Sequence, residues 1–174
     1  MIPPRPLSRI KWLYHFTDTR NLRLIREMGG LFSTAKLREM GVDEFHTGGN
    51  KWSLDADEMF GMDRYVHLCF RSTHPMEYIA KQEGRIEKSV FLLVGGDVLR
   101  LKGVRYSPGV SNKSGTKICD IQEARDQIDY DVLYTRMPWS DPEVQARLQA
   151  AEKCEILVPD HVPMKYLEKY FPNG

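Results

Sequence analysis

The segment Lys153-Cys154-Glu155-Ile156-Leu157-Val158-Pro159 is an apolar run with one carboxylate at its head. Side chains of a strand alternate between faces. Cys154, Ile156 and Val158 therefore point one way, and Glu155 and Leu157 the other. Glu155 shares a face with a leucine. A carboxylate on such a half-buried face is costly unless it is paired or has chemistry to perform.

The same patterning predicts the remaining elements. Trp12 to Phe16 reads as a strand. Thr17 or Asp18 caps the helix after it, with Leu22, Ile25 and Met28 on one stripe and Gly29-Gly30 as its stop. Ala35 to Met40 is a short helix ended by Gly41. Val42 to Gly61 is polar and glycine-broken, holding His46, Gly48-Gly49 and Trp52; it reads as a mobile loop with a helical turn near Asp55 to Phe60. Tyr65 to Phe70 alternates Val66, Leu68 and Phe70 against Tyr65, His67 and Cys69. Pro75 opens a short helix to Gln82. Ser89 to Val94 is a strand closed by Gly95-Gly96, and Gly103 to Tyr106 is another. Ser107 to Lys117 is a second flexible loop. Ser140 and Glu143 fit a capping box, with Pro142 in the first turn of a helix to about Lys153. After the Glu155 strand comes a short helix around Met164 to Tyr170. Strands and helices mix without a βαβ rhythm, which predicts an α+β fold around a largely antiparallel sheet.

Length and composition narrow the setting. A chain of 174 residues is read as a single domain over 1–174, large enough for a real core. Its 41% hydrophobic and 28% charged content belongs to a folded chain, not a disordered one. The net charge of +1 supplies no global field for a polyanion, so any nucleic-acid contact must be a local patch. Cys69, Cys119 and Cys154 are odd in number and far apart, which argues for reduced thiols and a cytoplasmic location. Met1 to Pro6 has no apolar leader core and reads as a short extended arm. No run of about 18 apolar residues is present, so no membrane span is expected.

Several chemistries are set aside. No GxGxxG follows a strand, and no GxxxxGK[ST], GxSxG or HxE-with-PCxxC pattern occurs. His67, Cys69 and His74 carry metal-binding atoms, but no further ligand stands at a recognisable spacing, and no metal is expected.

Three blocks carry a resemblance. The first is Trp12 to Thr17 with Asn21-Leu22 and Gly30-Leu31. The second is Tyr65-Val66-His67-Leu68-Cys69-Phe70 with Arg71-Ser72 and Pro75-Met76-Glu77-Tyr78. The third is Glu152 to Pro159 with Val162-Pro163. In this order they resemble the DarT family of NAD-dependent ADP-ribosyltransferases, toxins that modify bases in single-stranded DNA. The resemblance implies an ADP-ribosyltransferase-like fold with NAD in a cleft between two small sheets. It places His15 and Thr17 at the nicotinamide end of NAD, and Asn21 and Leu22 toward the adenosine. Arg64 is the leading counterpart of the arginine that holds the NAD phosphates, with Arg71 as its rival. Glu155 matches the catalytic glutamate. The family further implies a toxin of a toxin–antitoxin or phage-defence module, with a cognate antitoxin as partner, a macrodomain hydrolase in that family.

These roles make physical sense. Breaking the nicotinamide glycosidic bond builds positive charge on the ribose, which a nearby carboxylate stabilises. The same carboxylate can accept a proton from the attacking base. Arginine offers a bidentate fork to a pyrophosphate. Lys153 stands two residues before Glu155 and suits a phosphate-bearing target. Lys113 and Lys117 flank small residues in a flexible loop, and Trp52, Tyr106 and Trp139 are candidate stacking aromatics. Two alternatives stay open beside single-stranded DNA: RNA as the target polymer, and a non-catalytic module that binds nucleic acid or a nucleotide.

Overall fold

The computed structural model describes residue 7, residues 10–49 and residues 51–167, with the backbone alone for residues 51–53. The sequence-predicted arm Met1 to Pro6, the side chain of Trp52 and the end of the helix expected around Met164 to Tyr170 lie outside the described residues.

Five strands build the main sheet: β1 (Trp12–Asp18), β3 (Tyr65–Cys69), β4 (Ser89–Gly95), β5 (Arg105–Ser107) and β6 (Glu155–Pro159), in the order β4-β1-β3-β6-β5. All neighbours run antiparallel. The strand of β-branched and aliphatic residues headed by Glu155 is second from one edge, and its residues Glu155 to Val158 are all buried. Leu13, Leu68, Leu92, Val94, Ile156 and Val158 are at most 3% exposed and form the centre of the core. Each such side chain contributes about 1.5–3 kcal/mol by leaving water.

A second, two-stranded sheet pairs β2 (Gly30–Phe32) with β7 (His161–Pro163). The chain passes from β6 to β7 through Asp160 at φ 57, a conformation that aspartate tolerates better than most residues. Asp160 is held there by its N–H on Arg64 O at 2.9 Å and its carbonyl on Ser33 N at 2.8 Å. Gly30 is required at the other strand. At φ +149 it brings its backbone so close to β7 that a Cβ would lie 2.2 Å from Val162 O.

The helices are α1 (Leu22–Met28), α2 (Thr34–Glu39), α3 (Lys51–Met59), α4 (Pro75–Gln82), α5 (Ile121–Gln127), α6 (Tyr130–Tyr134) and α7 (Pro142–Ala151). Asp18, not Thr17, caps the entry to α1, through a 3-10 turn at Thr19–Asn21. Its fully buried carboxylate accepts from Arg20 N, from the Arg20 guanidinium and from Glu87 N. Hydrogen bonds from Arg20 hold its pKa well below the usual carboxylate range.

Other boundaries differ from the sequence reading for local reasons. The segment 42–61 holds a full helix, α3, where only a turn was expected. Polar composition alone does not separate an exposed helix from a loop. Helix α2 starts at Thr34, one residue ahead of the expected Ala35, with Ser33 as its cap. Gly30 begins β2 instead of only stopping α1. The expected strand at Gly103 to Tyr106 shifts to β5, and Tyr106, only 1% exposed, is a core residue that cannot stack on a base. Helices α5 and α6 were not anticipated, although Asp120 and Glu123 make a complete capping box. At α7 the cap is Asp141, whose carboxylate accepts from Glu143 N at 2.8 Å; Ser140 stands one residue too early.

This distinction is testable by thermal unfolding. Asp141→Ala is expected to cost about 1 kcal/mol, the usual worth of a helix cap, whereas Ser140→Ala should leave the midpoint within error.

Candidate active site

Glu155 is 7% exposed and opens β6 opposite Cys69 on β3 and Ser107 on β5. The register sets His67 opposite Leu157, on the same face as Glu155. His67 Nδ1 lies 3.2 Å from Glu155 Oε1, and Ser111 N donates to Oε2 at 2.7 Å. Ser111 Oγ stands 3.3 Å from the same His67 nitrogen. The other ring nitrogen, Nε2, donates to the Met62 carbonyl at 2.9 Å. A carbonyl only accepts, so Nε2 carries a proton, and a second proton on Nδ1 makes the ring an imidazolium facing a carboxylate.

Electrostatics support the ion pair. Burial opposes charge on His67, but Glu155, Asp57 and the Met62 carbonyl together outweigh it and push its pKa up to about 9. Burial likewise opposes charge on Glu155, yet the His67 charge and hydrogen bond, with Ser111, hold its pKa below the ordinary value. Glu155 is ionised at neutral pH.

The pair faces a cavity of about 230 Å³. Strand β1 meets β3 at one register pair, Tyr14 with Cys69. Next to it, His15 Nδ1 donates to the His67 carbonyl at 2.9 Å. Burial pushes the His15 pKa down, so the ring is neutral, with Nε2 left as an acceptor. Asn21 lines the cavity as a clamp. Its Oδ1 accepts from His46 N at 2.9 Å, and its Nδ2 donates to His46 O at 2.7 Å and to Thr17 Oγ1 at 3.0 Å. That fixes the loop carrying Phe45 to Gly49 against β1. Gly48 closes the contact, because a Cβ there would meet the Phe16 ring at 2.8 Å.

A match to the family model for DarT, the ssDNA thymidine ADP-ribosyltransferase, extends over residues 14–171, from β1 through the Glu155 strand and beyond. The chain belongs to the DarT family. DarT proteins act as NAD-dependent ADP-ribosyltransferases on single-stranded DNA, and this chain is an enzyme of that class. No curated protein matches the chain. Among solved structures, the fold is similar to Thermus sp. 2.9 DarT in complex with ADP-ribosylated ssDNA, at 19% identity and TM-score 0.66, covering 92% of this chain and 80% of that one. It is also similar to Thermus sp. 2.9 DarT in complex with NAD+, at 19% identity and TM-score 0.62, covering 91% and 80%. Thermosipho africanus DarTG in complex with ADP-ribose matches at 18% identity and TM-score 0.66, covering 90% of this chain and 42% of that one.

Against this DarT frame, the structure brings Glu155, His15, Thr17 and Asn21 to one cavity. It does not bring the two arginines there. Arg64 is exposed just before β3, and Arg71 Nε lies 3.6 Å from Glu152 Oε1; neither lines the cavity. Leu22 packs on the core instead. Among the described lining residues there is no lysine or arginine. Lys113 and Lys153 are exposed, while Lys117 is paired with Glu123 at 3.0 Å. Trp139 is 43% exposed. Among the described residues no cluster could hold a metal ion, and both nitrogens of His67 are already engaged. The three cysteines are free and buried, and no described helix is long and apolar enough to cross a membrane.

The two partners of the Glu155 carboxylate, His67 and Ser111, are not legible as such in the sequence. By itself His67 reads as a metal-binding side chain within one of the matching blocks, and Ser111 as part of a flexible loop. The signal for His67 was present in its alternation with Cys69, but only the β3–β6 register joins it to Glu155.

The pair predicts a pH dependence. His67 has its pKa raised on folding, so its contribution to stability is complete below about pH 6.5, its unperturbed value, and is lost as pH rises through about 9. Thermal midpoints measured from pH 6 to 10 should fall along that limb in the wild type and flatten in His67→Gln.

Proposed function

We propose that the cavity holds NAD with its nicotinamide–ribose bond beside Glu155, and that the acceptor is a thymine base of single-stranded DNA. The observation that carries this reading is the ionised, doubly hydrogen-bonded Glu155 carboxylate on the cavity wall. The donor set fits the nicotinamide-ribose end: His15 offers a neutral acceptor nitrogen, Thr17 a hydroxyl and Glu155 a fixed negative charge.

In the proposed reaction the bond from ribose C1 to the nicotinamide nitrogen breaks, and neutral nicotinamide takes the electron pair. Glu155 stabilises the cationic sugar, because the charge is already in place and needs no reorganisation. A ring nitrogen of the base then forms the new bond to C1. In a thymidine the only ring N–H is N3, so attack there must release that proton, and Glu155 is the base within the site able to take it. A paired, stacked thymine hides N3, which is why the substrate is single-stranded. His67 acts through Glu155 as a positioning residue, and Asn21 through the Phe45 to Gly49 loop.

The DNA strand is proposed to pass the exposed cations Lys113 and Lys153 beside the site. Lys117 contributes less, since Glu123 already neutralises it. Arg64 and Arg71 are assigned to the approach of phosphates outside the cavity rather than to its wall. The biological reading is a cytoplasmic toxin of a toxin–antitoxin module, countered by an antitoxin such as a macrodomain hydrolase. Family membership supports it, and a single domain over residues 1–174 would carry it.

Labelled NAD incubated with matched DNA and RNA oligonucleotides tests the reading. Wild-type protein should label thymine-containing single-stranded DNA and spare RNA and duplex. Glu155→Gln should lower the rate about 100-fold or more while the fold stays intact. A folded Glu155→Gln protein of near-normal rate would sink the catalytic assignment.

A further inference from the structure

His74 is 4% exposed, lines the cavity and is used by none of the steps above. It is the N-cap of α4, and its Nδ1 accepts from Met76 N at 3.2 Å. A nitrogen that accepts is unprotonated, so the ring's proton sits on Nε2. Burial lowers its pKa and keeps the ring in that neutral form. The ring stacks on Phe16 with centroids 5.9 Å apart and planes at 24°, which holds its direction. Nε2 is nevertheless buried without a hydrogen-bond partner.

An orphaned buried donor is rare, because it forfeits its bond to water and gains nothing in return. A second orphan belongs to the lining of the same cavity. Among the described residues, the buried side-chain polar atoms that lack partners include two from the cavity lining, His74 Nε2 and Asp57 Oδ1. Both residues lie within electrostatic range of Glu155. The unpartnered Nε2–H is the complement of a carbonyl oxygen, such as an amide or imide group presents.

We propose that His74 donates its Nε2–H to a carbonyl oxygen of an amide-type group in the bound substrate, and so selects for that group. The proposal rests on the reading of the cavity as the NAD and thymine site. That reading supplies two sources of the chemistry, the carboxamide of nicotinamide and the imide of thymine. A donor fixed in this way would reject a group presenting an amine at the same place, since two donors would then face each other.

The test uses His74→Asn, whose side-chain oxygen keeps the cap on Met76 but leaves the Nε2 position empty. NAD binding is measured by calorimetry, and binding of an oligothymidylate to NAD-loaded Glu155→Gln protein by fluorescence anisotropy, with and without the His74 change. A neutral hydrogen bond of this kind is worth about 3- to 10-fold in affinity. Weaker NAD binding alone assigns His74 to the carboxamide. Unchanged NAD binding with weaker oligothymidylate binding, and no change for oligodeoxyadenylate, assigns it to the thymine imide. Should the asparagine variant fail to fold, His74→Phe keeps the ring against Phe16 and removes the donor. A folded variant that binds both ligands like its parent overturns the proposal. Wild-type protein that binds NAD but modifies no oligonucleotide defeats the functional reading instead, and the NAD titration of His74→Asn still decides this one.

Discussion

Glu155 joins parts of the chain that are far apart in sequence. Its carboxylate sits at the head of a strand that is buried from Glu155 to Val158, where a bare negative charge would be severely unfavourable. It is tolerated because His67 from β3 supplies a counter-charge and Ser111 from the loop after β5 supplies a backbone N–H. His67 is fixed in turn by the carbonyl of Met62, just ahead of β3. One carboxylate thus ties two strands and two connecting segments into a single electrostatic unit. Removing it takes away the main counter-charge that keeps His67 protonated against burial; removing His67 leaves the buried carboxylate with the Ser111 N–H but no counter-charge. Either change reaches well beyond the residue itself.

The cavity in front of this unit is shaped by polar clamps more than by charge. Asn21 commits both amide hydrogens and accepts a backbone N–H to hold the Phe45 to Gly49 loop, and Gly48 lets that loop press against Phe16. His15 bridges from β1 to the His67 carbonyl, next to where the backbone pairing of β1 and β3 consists of a single register pair. The described wall carries histidines, Asp57 and Glu155 but no lysine or arginine. Such a wall suits a developing positive charge on a ribose. In the proposed placement of NAD, its pyrophosphate is met outside the described lining side chains.

Much of the fold was legible from local patterning. The helix Pro75–Gln82 has the bounds read from the sequence, the strands from Trp12, Tyr65 and Ser89 start where they were expected, and Glu155 heads its strand as it heads the apolar run. Local signals failed where two neighbours compete for one role, as Ser140 does with Asp141, or where an element is too short for its period to show, as in β2 and β7. The flexible-loop reading of Ser107 to Lys117 failed for another reason. Its small polar residues are turn formers, and Val110, Lys113 and Thr116 do form backbone turns, but Ser111 is anchored by a carboxylate 44 positions away.

The sequence by itself determined the α+β class, the antiparallel character of the sheet, and the suspicion attached to Glu155, because each follows from periodicity and from the cost of placing a charge on an apolar face. Resemblance added the family and a set of candidate residues. Tertiary structure alone decided which of those candidates share a cavity. Glu155, His15, Thr17 and Asn21 converge there, whereas Arg64 and Arg71 do not. It alone paired His67 with Glu155 and buried the His74 donor without a partner. The reason is physical. Periodicity reports which face a side chain takes within its own element, but strand register and loop docking are set by contacts between residues distant in the chain, and those contacts leave no local trace.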